Sequence, residues 1–229
     1  MIVLKDVSKV YKNNVFALSR INMTIEDGEF VYIIGATGSG KSTLIKLLDG
    51  EEIPTAGTVM VENIDVGKLK HSKIPKYRRN IGVIFQDFRL LPTLTVYENI
   101  AFALDVIDMK KADIKKRVKE VLELVSLKDK ADALPEELSG GQQQRATIGR
   151  AIANHPKVLI ADEPTGNLDP AMSDEIMELL EHINEVEHTT ILMVTHDSTI
   201  VNKHKKRTIR LEEGYIVADM EKGGYIKRD

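Results

Sequence analysis

The chain has 229 residues, 42% hydrophobic and 29% charged, and a formal net charge of −3. That length is ample for a core, the composition is that of an ordinary globular protein, and the acidic balance speaks against nucleic acid as the main partner. The lack of any cysteine excludes disulfides, thiol catalysis and cysteine-held metals, as expected in a reducing compartment. No apolar run approaches the ~20 residues of a membrane helix. The N-terminal "MIVLKDVSK" has no basic stretch followed by a long apolar core, so the chain reads as soluble, intracellular and uncleaved.

In "RINMTIEDGE", Ile21, Met23 and Ile25 alternate with polar residues, the period of a half-buried strand. "FVYIIG" is continuously apolar, as a strand covered on both faces would be, and runs directly into a glycine-rich loop. Lys41 to Asp49 continues as a helix ended by Gly50. "GTVMVEN" and "NIGVIFQ" read as further strands. In "ADIKKRVKEVLELVSL", Ile114, Val118, Val121, Leu122 and Val125 share one helical face. "QQQRATIGRAIANH" is a helix stopped by His155-Pro156. "KVLIADE" and "TTILMVTH" are buried strands, separated by a helix with the stripe Met172, Ile176, Leu179, Leu180 and Ile183. "TIRLEEGYIVADM" closes the series as a hairpin turning near Gly214. Strand–helix alternation of this kind predicts an α/β fold with a mainly parallel sheet covered by helices.

"GATGSGKS", Gly35 to Ser42, satisfies G-x-x-x-x-G-K-[ST] between a predicted strand and a predicted helix, the context that the motif requires. Gly35, Ala36, Thr37, Gly38, Ser39 and Gly40 form a turn whose N–H groups aim at phosphate oxygens next to the positive end of a helix. Lys41 reaches the β- and γ-phosphates, Ser42 holds Mg²⁺ through its hydroxyl, and Thr43 donates to a neighbouring phosphate. In "VLIADEP", Asp162 and Glu163 end a buried strand. Asp162 suits a Mg²⁺ ligand, and Glu163 suits the group that orients or deprotonates the attacking water. Gln86 and His196 each end a strand of the same sheet, where α/β proteins bind ligands. An amide at Gln86 can touch Mg²⁺ or water and swing away cheaply, and His196 is placed for the γ-phosphate. Tyr11, in "VSKVYKNN", is a candidate to stack on adenine; taken alone it reads more readily as a strand aromatic packing on the core.

The phosphate loop, Gln86, "LSGGQ", "VLIADE", "GNLD" and "TH" stand in the order and spacing of the ABC-type ATPases, a family that the chain resembles over essentially its whole length. The resemblance implies one ATPase domain, residues 1–229. Its core, 1–87 and 141–229, would combine the mainly parallel sheet with an N-terminal antiparallel β part, and about 88–140 would form an inserted helical subdomain. It also implies that "LSGGQ" closes over ATP bound to a second copy, so that two head-to-tail chains make two sites. Ser139, Gly140 and Gly141 stand just ahead of a helix that Gln142 opens, and present a hydroxyl, N–H groups and a positive dipole end to an anion. Asn167, Leu168 and Asp169 would link the two sites across the interface. One departure is Gln142-Gln143, where many members place a glutamate.

Within the family, "QDFRLLPTLTVYENIAFAL", "ADEPTGNLDP" and the ending "ADMEKGGYIKRD" are most similar to the branch that serves bacterial cell division. That likeness implies a homodimer on the cytoplasmic face of the membrane at the division site. It would drive a conformational switch in an integral membrane partner and, indirectly, a cell-wall hydrolase. Of Phe88, Leu90, Leu91, Leu94 and Val96, some are candidates for a groove that takes a helix of that partner, and at least half are expected to pack inside the helical subdomain. The alternatives are the motor of a lipoprotein- or macrolide-type exporter and a soluble ABC ATPase. The latter lacks support, since the chain has neither a coiled-coil insertion nor a second ATPase unit.

Overall fold

The computed structural model describes residues 1–12 and 14–223; the last part of the ending compared above, 224–229, lies outside them. The N-terminal sheet is antiparallel. β1 (Ile2–Val10) pairs with β2 (Phe16–Ile25) on one side and β4 (Ala56–Val61) on the other, and β5 (Ile64–Asp65) adds an edge, giving the order β2-β1-β4-β5. The alternation read in β2 is interrupted once. Leu18 and Ile21 are both buried although three residues apart, because the register with β1 shifts between them and Arg20 adopts φ 49°.

The second sheet runs β10-β9-β3-β8-β7-β6. Its centre is β3 (Phe30–Ile34), parallel to β8 (Thr190–Val194) and β9 (Arg207–Glu212); β7 (Val158–Asp162) and β6 (Ile81–Ile84) continue the parallel run. Only β10 (Tyr215–Met220) is antiparallel, joined to β9 through Glu213 and Gly214, both at positive φ as a two-residue hairpin turn demands.

The unbroken apolar run of β3 has a direct structural reason. Val31 and Ile33 pack into a core that contains α1 (Lys41–Leu48) and the inner face of the antiparallel sheet. Phe30, Tyr32 and Ile34 pack into a second core on the opposite face, under the remaining long helices. These are α3 (Val96–Asp105), α4 (Lys111–Leu124), α5 (Gly140–Ile152), α6 (Pro170–Glu187) and α7 (Ser198–His204). A short α2 (Ile74–Arg78) precedes β6. Between β6 and α5 the chain is mainly α3 and α4, and both pack on α5.

Two helices owe their starts to side chains. Thr95 and Glu98 form a reciprocal capping box at α3. Ser139 and Gln142 do the same at α5, which therefore begins at Gly140, ahead of the glutamine run.

The five apolar residues expected to shape a groove after Gln86 behave differently from one another. Val96 is buried in the core, Leu90 packs against it, and Leu91 lines a surface cavity. That cavity, about 380 Å³, lies between α2, β6, α3 and α5, and its apolar floor includes Val83, Phe85, Phe102 and Val106. Asn99, fully buried, turns the segment inward: its side chain bonds the backbone of Leu91, Leu94 and Thr95. An asparagine in the middle of a helix gives no such signal in sequence.

Candidate functional site

The phosphate loop leaves β3 and enters α1. Gly40 holds φ 108°, and a Cβ there would lie 2.6 Å from the Ala17 carbonyl oxygen, so only glycine fits. No side chain caps α1 at Gly40, which leaves its first N–H groups facing the loop. The Lys41 ammonium donates to the carbonyls of Gly35 at 2.7 Å and Ala36 at 2.9 Å. An ammonium has three protons, so one remains for an incoming oxygen. Burial lowers the Lys41 pKa, while the carboxylates of Glu163 and Asp162 pull it back up.

Asp162 is the last residue of β7. Burial raises its pKa first and the neighbouring Glu163 adds to this, while Lys41 opposes it. Such a carboxylate is short of positive charge. Glu163 sits at φ 47°, an uncommon conformation for a residue with a side chain, fixed by its N–H bond to the Val194 carbonyl at 2.9 Å. From there its carboxylate accepts a bond from the His196 ring nitrogen Nδ1 at 2.8 Å. Gln86 lies two residues beyond β6, and its side-chain amide and the Glu163 carboxylate both approach Gly166. Asn167 donates to the Gln86 carbonyl at 3.1 Å, tying the segment after Glu163 to that glutamine.

Tyr11, Thr37, Gly38, Gly40, Lys41, Ser42, Thr43, Gln86, Asp162 and Glu163 line one cleft of about 350 Å³, a size typical of ligand sites. The Tyr11 hydroxyl lies 3.3 Å from the Thr43 hydroxyl, which draws the tyrosine from β1's end to the loop. Val15, Phe16 and Ala17 also line the cleft. Nothing in the sequence marks them as site residues, since Phe16 opens a strand and only the structure shows its ring exposed. Ala36 and Ser39 face a neighbouring cavity of the same loop with Tyr215 and Val217. The hydroxyl of Ser42, the carboxylate of Asp162 and the amide oxygen of Gln86 are hard oxygen donors of the kind Mg²⁺ takes. Among the described residues no group of three His, Cys, Asp or Glu gathers as a metal cage. An ion there would complete its shell with phosphate oxygens and water.

Ser139, Gly140, Gly141, Gln142 and Asp169 are not among the cleft's lining residues. The Gln142 side chain is occupied in the cap with Ser139. The Asp169 carboxylate caps α6 by accepting from Ala171 at 3.0 Å and Met172 at 3.1 Å. A second set of contacts joins Gln86's neighbours to α5: Thr147 donates to the Phe88 carbonyl at 3.1 Å, and Arg150 donates to the carbonyls of Phe88 and Arg89. Phe88 and Arg89 both have positive φ, so this turn is held in place by α5.

The family model described as ABC transporter matches residues 18–166. The Cell division ATP-binding protein FtsE of Bacillus subtilis (strain 168) is 55% identical over 229 residues, covering 100% of both chains. The protein of the same name from Mycobacterium tuberculosis (strain ATCC 25618 / H37Rv) is 52% identical over 226 residues, covering 98% of each. Among solved structures, the dimeric post-hydrolysis state of an ATP-binding cassette bound to ADP and Pi superposes with a TM-score of 0.86 at 38% identity, covering 98% of this chain and 100% of that one. With its phosphate loop, paired strand-end carboxylates and signature helix, the chain belongs to the ABC transporter family and is an ATP-hydrolysing cassette of the FtsE type.

Proposed function

We propose that two copies of this chain, head to tail, enclose two ATP molecules, and that closing and opening of this dimer drives a switch in a membrane protein during cell division. The observation that carries this reading is the incomplete cleft. It contains the phosphate loop, Gln86, Asp162 and Glu163 but none of Ser139–Gln142, although those residues form a second glycine-rich helix start. A second copy would supply them, and two such cassettes are seen together in the solved dimer with ADP and Pi.

In that site the loop N–H groups and Lys41 hold the phosphates. Ser42, Asp162 and Gln86 would hold Mg²⁺, which when bound supplies charge neutralisation at the phosphates. Glu163, fixed by His196, accepts a proton from the attacking water. Asn167 joins the Gln86 backbone to the segment that follows Glu163, and Asp169 sets the start of α6 within reach of the partner copy. Tyr11 offers its ring to adenine. Residues 88–140 act as a helical subdomain, and the ties from Thr147 and Arg150 to Phe88 and Arg89 pass the state of Gln86 to α5 and to the cavity beside it.

That cavity is where a short helix of an FtsX-like integral membrane protein would dock, holding the cassette at the cytoplasmic face of the division site. A cell-wall hydrolase would be controlled through that partner. Among the described residues no helix is long and apolar enough to cross a membrane, so on this reading the docked protein supplies the membrane span. The test is Glu163→Gln with saturating ATP. Hydrolysis should fall roughly 10²–10⁴-fold and dimers should accumulate in size-exclusion runs; wild-type turnover would overturn the assignment of the base. For docking, Phe102→Asp with Val106→Asp, both partly exposed at 48% and 43%, should abolish co-purification with the membrane partner. Undiminished co-purification would place the partner elsewhere.

A further inference from the structure

Beside the docking cavity lies a concentration of positive charge that ATP hydrolysis does not use. Between Val66 and Asn80 the chain carries Lys68, Lys70, Lys73, Lys76, Arg78 and Arg79 and no carboxylate. Taking those residues from the 32 lysines and arginines leaves the rest of the chain well short of its 35 carboxylates, so this is a basic patch on an acidic protein. All of these side chains are exposed. Lys68 pairs with Asp65 at 2.8 Å, Arg78 donates to the Asp49 carbonyl at 2.9 Å, and Arg79 stands 4.0 Å from Asp108. Among the described residues, no carboxylate pairs with Lys70, Lys73 or Lys76.

The stretch coils through short 3-10 turns at Val66–Lys68 and His71–Lys73 into α2, which leads directly to the edge strand β6. Pro75, Arg78 and Arg79 form part of the wall of the docking cavity, so patch and cavity are one continuous surface. The lysine-rich helix α4 differs: its lysines are interleaved with Asp113, Glu120 and Glu123, and it does not line the cavity. Lysine is a flexible, strongly hydrated point charge, suited to a diffuse layer of phosphates rather than to one fixed carboxylate.

We propose that this patch contacts the anionic headgroups of the membrane leaflet beside the docked partner, with Lys70, Lys73 and Lys76 as its core. The placement rests on the docking cavity proposed above; the lipid affinity does not. A lysine near an anionic surface contributes about five-fold in partitioning, from the value usual for juxtamembrane basic residues.

The test is vesicle co-sedimentation of the purified full chain, without partner or nucleotide, on phosphatidylglycerol-containing and on purely phosphatidylcholine vesicles. Binding should require the anionic lipid, weaken as salt shortens the screening length, and fall at least about ten-fold in the Lys70→Glu, Lys73→Glu, Lys76→Glu variant, consistent with three lost charges. ATPase activity of that variant should match wild type, which shows that it is folded. Equal binding to both vesicle types, or an unaffected variant, overturns the proposal. So does a wild-type chain that ignores vesicles but binds a poly-glutamate peptide through the same lysines, since the patch would then dock protein. Phe102→Ser with Val106→Ser, which removes the apolar wall without adding charge, should retain vesicle binding. If it loses the partner while vesicle binding persists, cavity and patch act separately as proposed; loss of vesicle binding in that variant would overturn the proposal.

Discussion

The two glycine-rich helix starts of this chain look alike in sequence and differ in what they leave open. At α1 no side chain caps the helix, Gly40 stands at φ 108°, and the N–H groups and Lys41 face the cleft. At α5 the helix is closed upon itself: Ser139 Oγ accepts from the Gln142 N–H at 3.3 Å, and Gln142 Oε1 accepts from the Ser139 N–H at 2.9 Å. A serine hydroxyl used as an acceptor still has its own proton to give. The first site is an open cradle with an ammonium; the second is a pre-formed cap with one hydroxyl and the Gly140 and Gly141 N–H groups to spare. The difference teaches that an open cradle can hold an anion by itself, whereas the capped start, on the function proposed above, would meet a phosphate already held by something else.

Breaking the first side of that comparison has the larger effect. Lys41→Ala removes a charge-assisted donor, worth about 1.5–3 kcal/mol, so ATP affinity in titration calorimetry should fall roughly ten- to hundred-fold. Unchanged affinity would mean that the ammonium belongs to the loop's own carbonyls and not to the ligand.

The second side is sharpened by a pair of substitutions. Ser139→Asp keeps an acceptor for the Gln142 N–H, so thermal stability should stay near wild type, but the carboxylate should repel the phosphate and abolish the ATP-dependent dimer. Ser139→Ala should cost about 1 kcal/mol of stability through the lost cap while only weakening the dimer. Equal dimerisation of both variants would reduce Ser139 to a structural cap.

The smallest effect concerns Asp162. Its folded pKa is raised by burial and by Glu163, so the stability that it contributes is present below the unfolded pKa and lost as pH rises through the folded one. Asp162→Asn should therefore raise the Tm of the nucleotide-free protein at neutral pH, with the gap closing on acidification, even as hydrolysis is lost. A lower Tm in Asp162→Asn at neutral pH would show that the carboxylate is well compensated as it stands.

The strands were legible because burial on both faces of β3, β7 and β8 writes an unbroken apolar run, and the motif-bearing helices because Gly50 and His155-Pro156 mark where they stop. The cradle around Lys41 was legible for the same reason: its chemistry is local in sequence. What lay beyond reach was pairing over distance. Nothing near Thr147 or Arg150 reveals that both grip the turn after Gln86, and nothing near Asn99 reveals that it folds Leu91–Thr95 inward. The cavity beside that turn was out of reach for the same reason, since its walls come from α2, β6, α3 and α5 together.

The division of one reaction centre between two chains is tested most directly by mixing. Lys41→Ala chains have a damaged cradle and an intact signature, and Ser139→Asp chains the reverse. Each alone should be nearly inactive. Mixed in equal amounts with ATP they should recover up to about a quarter of the wild-type rate, since half of randomly paired two-fold dimers carry one intact site. No recovery from two folded variants, or full activity from either alone, would contradict the account.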